Sequence, residues 1–399
     1  MIASGNTSNQ GEQCAVRTNG RILVTGGAGF IGRAFARAQL SRGAEVVLLD
    51  SLSRQVHGES PREELVLGDL LGRVEFIRGD VRDSASLDRA VRGVSVVVHL
   101  AAETGTGQSM YEVSHYFDTN VMGTAKLLEA ISRAGARPRL LVASSRAIYG
   151  EGMYRSESGA VFYPEQRSNA DLERGVFEPL DPFGRPGVVV PTSEEAPPRS
   201  CSVYGISKFS QEQQCLAFCR AHGLDGVALR FQNVYGPGQS LKNPYTGILS
   251  IFSSLLLDGK PIRVFEDGEE SRDFVYIDDV VDAMCAALTV ELKSPSVFNV
   301  GTGVGVSVAR VAGFLKDFYG SNSKIEITGE FRVGDVRHCV ADTSKARAVL
   351  GFEARTDFET GVRRFGDWVL GQERTHVEYE RSLNEMAGRG LLGRAAQAR

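Results

Sequence analysis

This 399-residue chain lacks an excess of charge of either sign: 45 Lys and Arg stand against 49 Asp and Glu, for a formal net charge of -4. A surface that is basic overall, as nucleic-acid binding requires, is therefore not expected. No run approaches 18 apolar residues, so no membrane span is expected. The first twenty residues are polar and lack the apolar core of a signal peptide, so 1–20 reads as a loose tail of a cytoplasmic protein. Cysteine is sparse. Of Cys14, Cys201, Cys215, Cys219, Cys285 and Cys339, only Cys215 and Cys219 are close together, and no second Cys or His pair lies nearby at zinc spacing. Neither a metal site nor a disulfide framework is expected; free buried thiols in a reducing compartment are. What is present is ordinary for a globular protein, 42% hydrophobic and 24% charged, in a length that suits two or three domains.

Short apolar runs without polar alternation recur between helical patterns. Ile22–Val24 leads into a helical spacing through Ile31, Phe35, Ala38 and Leu40, stopped at Gly43. Further strands are expected at Glu45–Asp50, Val74–Arg78, Val94–Leu100, Leu140–Ala143 and Val227–Phe231, with helices from Ser84, over Asp118–Ala134 and over Tyr204–Ala221. Strands of this kind belong to a parallel sheet covered on both faces. The fold class is therefore α/β, a Rossmann-type doubly wound parallel sheet with a smaller mixed α/β C-terminal substrate domain. The boundaries read as 21–235 for the nucleotide domain, with 275–300 returning to it, and 236–274 plus 301–375 for the second. Residues 376–399, charged and Gly-rich, read as a frayed tail. The stretch 151–200 breaks the rhythm with seven of the 13 prolines and is too long for an ordinary connection.

Thr25-Gly26-Gly27-Ala28-Gly29-Phe30-Ile31-Gly32 joins the first strand to the first helix. A pyrophosphate there needs backbone N–H groups at a helix N-terminus and no side chain in the way, which Gly26, Gly29 and Gly32 permit, with Phe30 and Ile31 in the first turn. Asp50 ends the second strand 24 residues after Gly26. A carboxylate there accepts from adenosine ribose hydroxyls and repels a 2′-phosphate, favouring NAD over NADP; Arg54 is the counter-signal. Asp80, in Gly79-Asp80-Val81-Arg82-Asp83, is placed to meet the adenine amino group, while Asp83 or Ser84 caps the next helix. The small residues of His99-Leu100-Ala101-Ala102 would let a cofactor lie across the strand tips; His99 itself reads as structural.

Tyr204 and Lys208 are four residues apart, on one helical face. An ammonium beside a phenol favours the phenolate and lowers its pKa, which suits proton transfer at a sugar hydroxyl. The same pair is also common on exposed helices. Ser145, at the end of the fifth strand where open α/β sheets place ligands, favours the functional reading.

With these residues in hand, the chain resembles the extended short-chain dehydrogenase/reductases, specifically the nucleotide-sugar epimerases. TGGAGFIG, the strand-ending Asp50, GDVRD, HLAA, SSRAIYG, YGISK, NVYGPGQ, RDFVYIDDV and GDVRH occur in that family's order over roughly residues 21–370. The resemblance implies bound NAD, Tyr204 as acid/base, Lys208 on the nicotinamide ribose and Ser145 assisting. Val81 and Asn120 complete the expected cofactor set. Asn233, Arg272 and Arg332 would face the phosphates of a sugar nucleotide, and Glu103, Thr104, Gln108, Arg146 and Tyr245 are the other expected substrate contacts.

Family members share oxidation at C4 of the sugar. Those resembling 4,6-dehydratases carry an Asp-Glu pair after the catalytic Ser/Thr, and decarboxylating members keep a Glu in that region; here Arg146 and Ala147 stand there. Arginine cannot serve as a base, which leaves inversion at C4. The segments around Glu103–Ser109, Ser53–Gly58 and Asn243–Gly247, with the long insertion, look like the TDP-L-rhamnose and related TDP-deoxysugar 4-epimerases. Alternatives are a UDP-hexose or UDP-uronate 4-epimerase, an NAD(P)H-dependent 4-ketoreductase, or a non-catalytic NAD sensor. The insertion is a lid over the sugar, a surface decoration or an oligomer contact. The resemblance also implies a homodimer through the helices Asp118–Ala134 and Tyr204–Ala221, although Val121, Leu127, Leu128 and Ile131 would equally suit core packing.

Overall fold

The structure is a computed structural model that describes residues 20–241, 243, 245, 247–373 and 379–396. Cys14, almost all of the expected N-terminal tail, Pro244, Thr246 and parts of the expected C-terminal tail lie outside the described residues. Seven strands form one parallel sheet: β1 (Arg21–Thr25), β2 (Glu45–Asp50), β3 (Glu75–Arg78), β4 (Val94–His99), β5 (Arg139–Ser145), β6 (Gly226–Phe231) and β7 (Ser296–Val300). Their order across the sheet is β7-β6-β5-β4-β1-β2-β3. The order of strand addition therefore reverses between β1 and β4, which opens a crevice at the carboxyl ends of those strands.

Successive residues in each strand point to opposite faces, and both faces are apolar. Ile22, Val24, Val46, Leu48, Val98 and Leu141 pack under α1 (Phe30–Ser41) and α5 (Ile277–Thr289), through Phe35, Val280 and Met284. Leu23, Val47, Leu49, Val97, Leu140 and Val142 pack under α2 (Ser84–Ala90), α3 (Gly123–Arg133) and α4 (Val203–His222). Leu127, Leu128 and Ile131 are spent on this core. The expected long helix before β5 starts earlier than expected, at Val113–Tyr116, and widens into a π-type turn over Phe117–Met122 before α3. Asp83 caps α2 through Ala85 N and Ser86 N. The five described cysteines are free thiols.

The smaller, mixed part grows from the end of β6. Asn233–Tyr235 pairs in parallel with Ser271–Tyr276, which also borders Gly305–Ser307 and His338–Cys339. This puts Asn233 and Arg272 on neighbouring strands beyond the nucleotide crevice. Two findings depart from the sequence reading. The segment 151–200 is built, not loose: Met153–Arg155, Val161–Phe162 and Val188–Val190 form an antiparallel sheet. Within the expected C-terminal tail, Tyr379–Ala387 is a helix and Leu392–Arg394 pairs antiparallel with Glu330–Arg332. An apolar stripe of Tyr379, Leu383 and Met386, hidden among charged residues, buries that helix. Among the described residues no helix is long and apolar enough to cross a membrane.

Candidate active site

The turn from β1 into α1 has no room for side chains. Gly26 adopts φ +67°, and a Cβ there would lie 2.8 Å from Ala101 N; one on Gly32 would lie 2.6 Å from Gly26 O. Gly29 is the N-cap of α1. No side chain caps that end, and its first turn holds no acidic residue. The N–H groups of Phe30, Ile31 and Gly32 are thus open to an anion, and the helix dipole favours one. Asp50 ends β2 facing this turn, accepting from Ala28 N at 3.0 Å and Leu52 N at 2.8 Å. Arg54 is largely exposed and pairs with Glu59, away from Asp50. The donor set and the cramped glycines fit a dinucleotide, and the retained carboxylate fits NAD.

The expected cofactor residues divide. Gly26, Gly29, Phe30, Ile31, Gly32, Leu100 and Ala102 line one cavity of about 570 Å³ together with Tyr204, Lys208 and Ser145. Asp50 and Ala101 stand beside it, against Ala28 N and Gly26, while Asp80, beyond the end of β3, pairs with Arg82 at 2.7 Å. Val81 and Asn120 do not meet the cavity. Val81 is packed against Gly123, where a Cβ would come within 2.7 Å of it. Asn120 is wholly buried as a strut: it accepts from Glu103 N at 2.7 Å and donates to Glu103 O at 3.1 Å and Ser207 Oγ at 2.9 Å. That strut fixes the loop after β4 against α4.

Tyr204 and Lys208 rise from the first turns of α4, whose N-cap Ser202 accepts from Gly205 N. The Tyr204 phenol meets the Ser145 hydroxyl and lies near the Arg146 charge. Its ring packs edge-on to Tyr116, with centroids 6.4 Å apart. Burial pushes the phenol pKa up, opposed by the Ser145 hydrogen bond and Arg146. This corrects the expected lowering by Lys208. The ammonium of Lys208 turns instead to Gln211 Oε1, and burial brings its pKa down to about 8, against the pull of Cys215 and Glu212. Gln211 in turn donates to His99 Nε2 at 2.8 Å, and His99 Nδ1 meets Thr25 Oγ1 at 2.7 Å. Because Lys208 can only donate, the Gln211 amide is fixed in orientation, and the His99 proton sits on Nδ1. Burial and Lys208 hold His99 neutral, with its pKa pushed down to about 3. His99 is structural and orients the lysine's holder.

At the other end of the cavity Arg272 and Arg332 converge on Asp335. Arg272 is 3.1 Å from Asp335 Oδ1, Arg332 also pairs with that carboxylate, and its guanidinium stacks 5.0 Å from the Phe265 ring centre. Burial alone would raise the Asp335 carboxyl; Arg332, Arg272 and Arg146 outweigh it and hold it well below the ordinary range. Asn233 lines the same cavity with a buried Oδ1 that has no partner among the described residues. Thr104, Gln108, Arg146 and Tyr245 line it as well. Glu103 does not: its carboxylate lies 3.3 Å from His115 Nε2. Among the described residues none of 151–200 lines the cavity. The segment reaches the site from behind, where buried Arg167 pairs with Glu151 and Glu266, both at 2.9 Å, and donates to Asp335 O at 3.0 Å.

The sequence reading missed Gln211, Asp335 and the support of α4. Glu212 accepts from Ser144 Oγ at 2.6 Å and pairs with buried Arg230 at 2.7 Å, which ties α4 to β5 and β6. Gln211 and Glu212 sit three and four residues after Lys208, a spacing that marks them as its neighbours. Asp335 lay within the GDVRH motif but carried no local signal of its own.

Residues 22–170 and 180–301 match the NAD dependent epimerase/dehydratase family model. A dTDP-L-rhamnose 4-epimerase of Burkholderia thailandensis is 40% identical over 352 residues, 88% of this chain and 94% of that protein. Among solved structures, MoeE5 in complex with UDP-glucuronic acid and NAD is 31% identical with a TM-score of 0.70, covering 88% of this chain and 99% of its own. The UDP-glucose 4-epimerase of Thermus thermophilus, in complex with NAD, is 30% identical with a TM-score of 0.69, covering 88% and 100%. A glycine turn shaped for a dinucleotide, a Ser-Tyr-Lys group beside it and matches of this extent lead to one conclusion: the chain belongs to the NAD-dependent epimerase/dehydratase family.

Proposed function

We propose that this chain inverts C4 of a nucleotide-activated sugar through a 4-keto intermediate, and that the sugar is a TDP-6-deoxyhexose such as TDP-L-rhamnose. The observation that carries the reaction is the shared cavity. It holds the Tyr204 phenol and Ser145 hydroxyl at one end and Arg272 and Arg332 at the other. Arg146 and Ala147 follow Ser145, so the expected acid/base pair for loss of water is missing.

Tyr204 takes the proton of the C4 hydroxyl while Ser145 holds the oxygen. Phe30, Ile31 and Gly32 would hold the pyrophosphate of NAD, and Lys208 would hold its nicotinamide ribose. Bound there, NAD supplies the reversible removal and return of hydrogen at C4. Arg272 and Arg332 anchor the diphosphate through planar donor forks, so the keto sugar can turn without leaving. Tyr204 then returns its proton to the oxygen of the inverted centre.

The 40% identical rhamnose epimerase supports the substrate; the solved relatives in complex with UDP-sugars support the UDP-linked alternative. Incubation with a panel of UDP-, TDP- and GDP-sugars, read by NMR for C4 inversion, tests both. Inversion of a TDP-6-deoxyhexose is expected, and inversion of UDP-sugars alone would replace the substrate. We also infer a homodimer through the Phe117–Met122 turn and α4, where Phe117, Met122 and Ile206 remain exposed. Light scattering should give twice the chain mass.

A further inference from the structure

The C-terminal helix Tyr379–Ala387 forms part of the cavity wall through Tyr379, Ser382 and Met386. The thioether presses on Gly107: a Cβ there would come within 2.8 Å of Met386 Sδ. Gly107 belongs to the short helix Thr106–Ser109, and Ser109 Oγ accepts from Tyr204 N at 3.0 Å. Met386 thus packs on the short helix that holds the backbone of the catalytic tyrosine.

The polar groups along this wall are already engaged. Tyr111 and Tyr245 both donate to Glu385 Oε2, at 3.0 and 2.7 Å. The Gln108 amide exchanges two hydrogen bonds with Gln55, both 2.9 Å, and reaches Glu112 at 3.2 Å. Tyr116 donates to Thr104 O at 2.7 Å. The Ser382 hydroxyl, which also lines the cavity, donates to Tyr379 O at 2.7 Å, and Thr106 lines it next to Gly107; at the contact of Gly107 with Met386 the wall itself is a glycine and a thioether. A hydroxyl brought against the thioether would give up water for a weak acceptor, whereas a methyl group would lose nothing.

We propose that Met386 is a specificity-determining residue that seats a methyl substituent of the bound sugar against Gly107. Glu385 is its positioning residue, since it ties the C-terminal helix to Tyr111 and Tyr245. The inference deepens the substrate reading above and rests on it.

The test compares two TDP-sugars that differ only in a methyl or hydroxymethyl group at C5. Affinity is measured by calorimetry and turnover by NMR, on the NAD-containing protein. The native chain should bind the methyl sugar at least about tenfold more tightly. Met386→Gln should lower that ratio about tenfold with NAD content unchanged, and Met386→Leu should restore it. Glu385→Gln should lower the ratio less than Met386→Gln does. A binding ratio that Met386→Gln leaves unmoved overturns the proposal. A ratio that shifts as expected, in a protein that inverts neither sugar, upholds the seat and overturns the reaction.

Discussion

Tyr204 and Lys208 are both buried on α4, yet burial acts on them in opposite senses. It raises the phenol and lowers the ammonium, because each is pushed toward its neutral form. Tyr204→Phe should retain NAD and lose at least about a thousandfold in turnover, checked by cofactor content and NMR rates. Lys208→Met should also lose most turnover but hold or raise the thermal midpoint at pH 7. The native lysine binds its proton less tightly folded than unfolded, which costs about 3 kcal/mol at neutral pH. That cost fades as pH rises from about 8 toward the unfolded value, so the variant's advantage should shrink over that range. At this scale the sequence showed the Tyr, Lys and Ser through spacing and strand position. It did not show that Lys208 faces Gln211, since a partner is chosen by packing. Nor did it show that Val81 packs against Gly123, or that Asn120 bridges Glu103 and Ser207.

At the scale of elements, the parallel sheet was legible because both its faces are buried, leaving short apolar runs that alternate with helical patterns. The glycine turn was legible because no other residue fits it. Gly26→Ala should cost about 1–2 kcal/mol from its positive φ alone, and more from the clash with Ala101, with loss of bound NAD; thermal melts and cofactor content would show both. The strands Met153–Arg155, Val161–Phe162 and Val188–Val190 were not legible. Each has two or three residues, too few for alternation to be read, and turns rich in Pro and Gly separate them. The helix Tyr379–Ala387 escaped notice because only three of its nine residues carry the apolar stripe.

At the scale of the whole molecule, the two parts are joined by buried charge as well as by apolar packing. Arg167 from the insertion meets Glu266, and Arg337 meets Glu266, Asp267 and Glu178. Removing Arg167 leaves Glu266 with Arg337 but takes the cation from buried Glu151, a loss of roughly 3–5 kcal/mol. Arg167→Met should therefore lower the melting temperature and raise KM for the nucleotide sugar, because Asp335 O loses its donor, while leaving the glycine turn able to hold NAD. Calorimetry and steady-state kinetics would separate the two effects. No sequence pattern announces such a network, since its members lie up to 186 residues apart.

The account depends on the hydrogen at C4 leaving and returning within one molecule. A TDP-6-deoxyhexose carrying deuterium at C4 would test this directly, with both epimers read by NMR and mass spectrometry and no nicotinamide added. Full retention of the label at C4 in the inverted product is predicted. Washout of the label to solvent, or a requirement for added reduced nicotinamide in step with product, would contradict it.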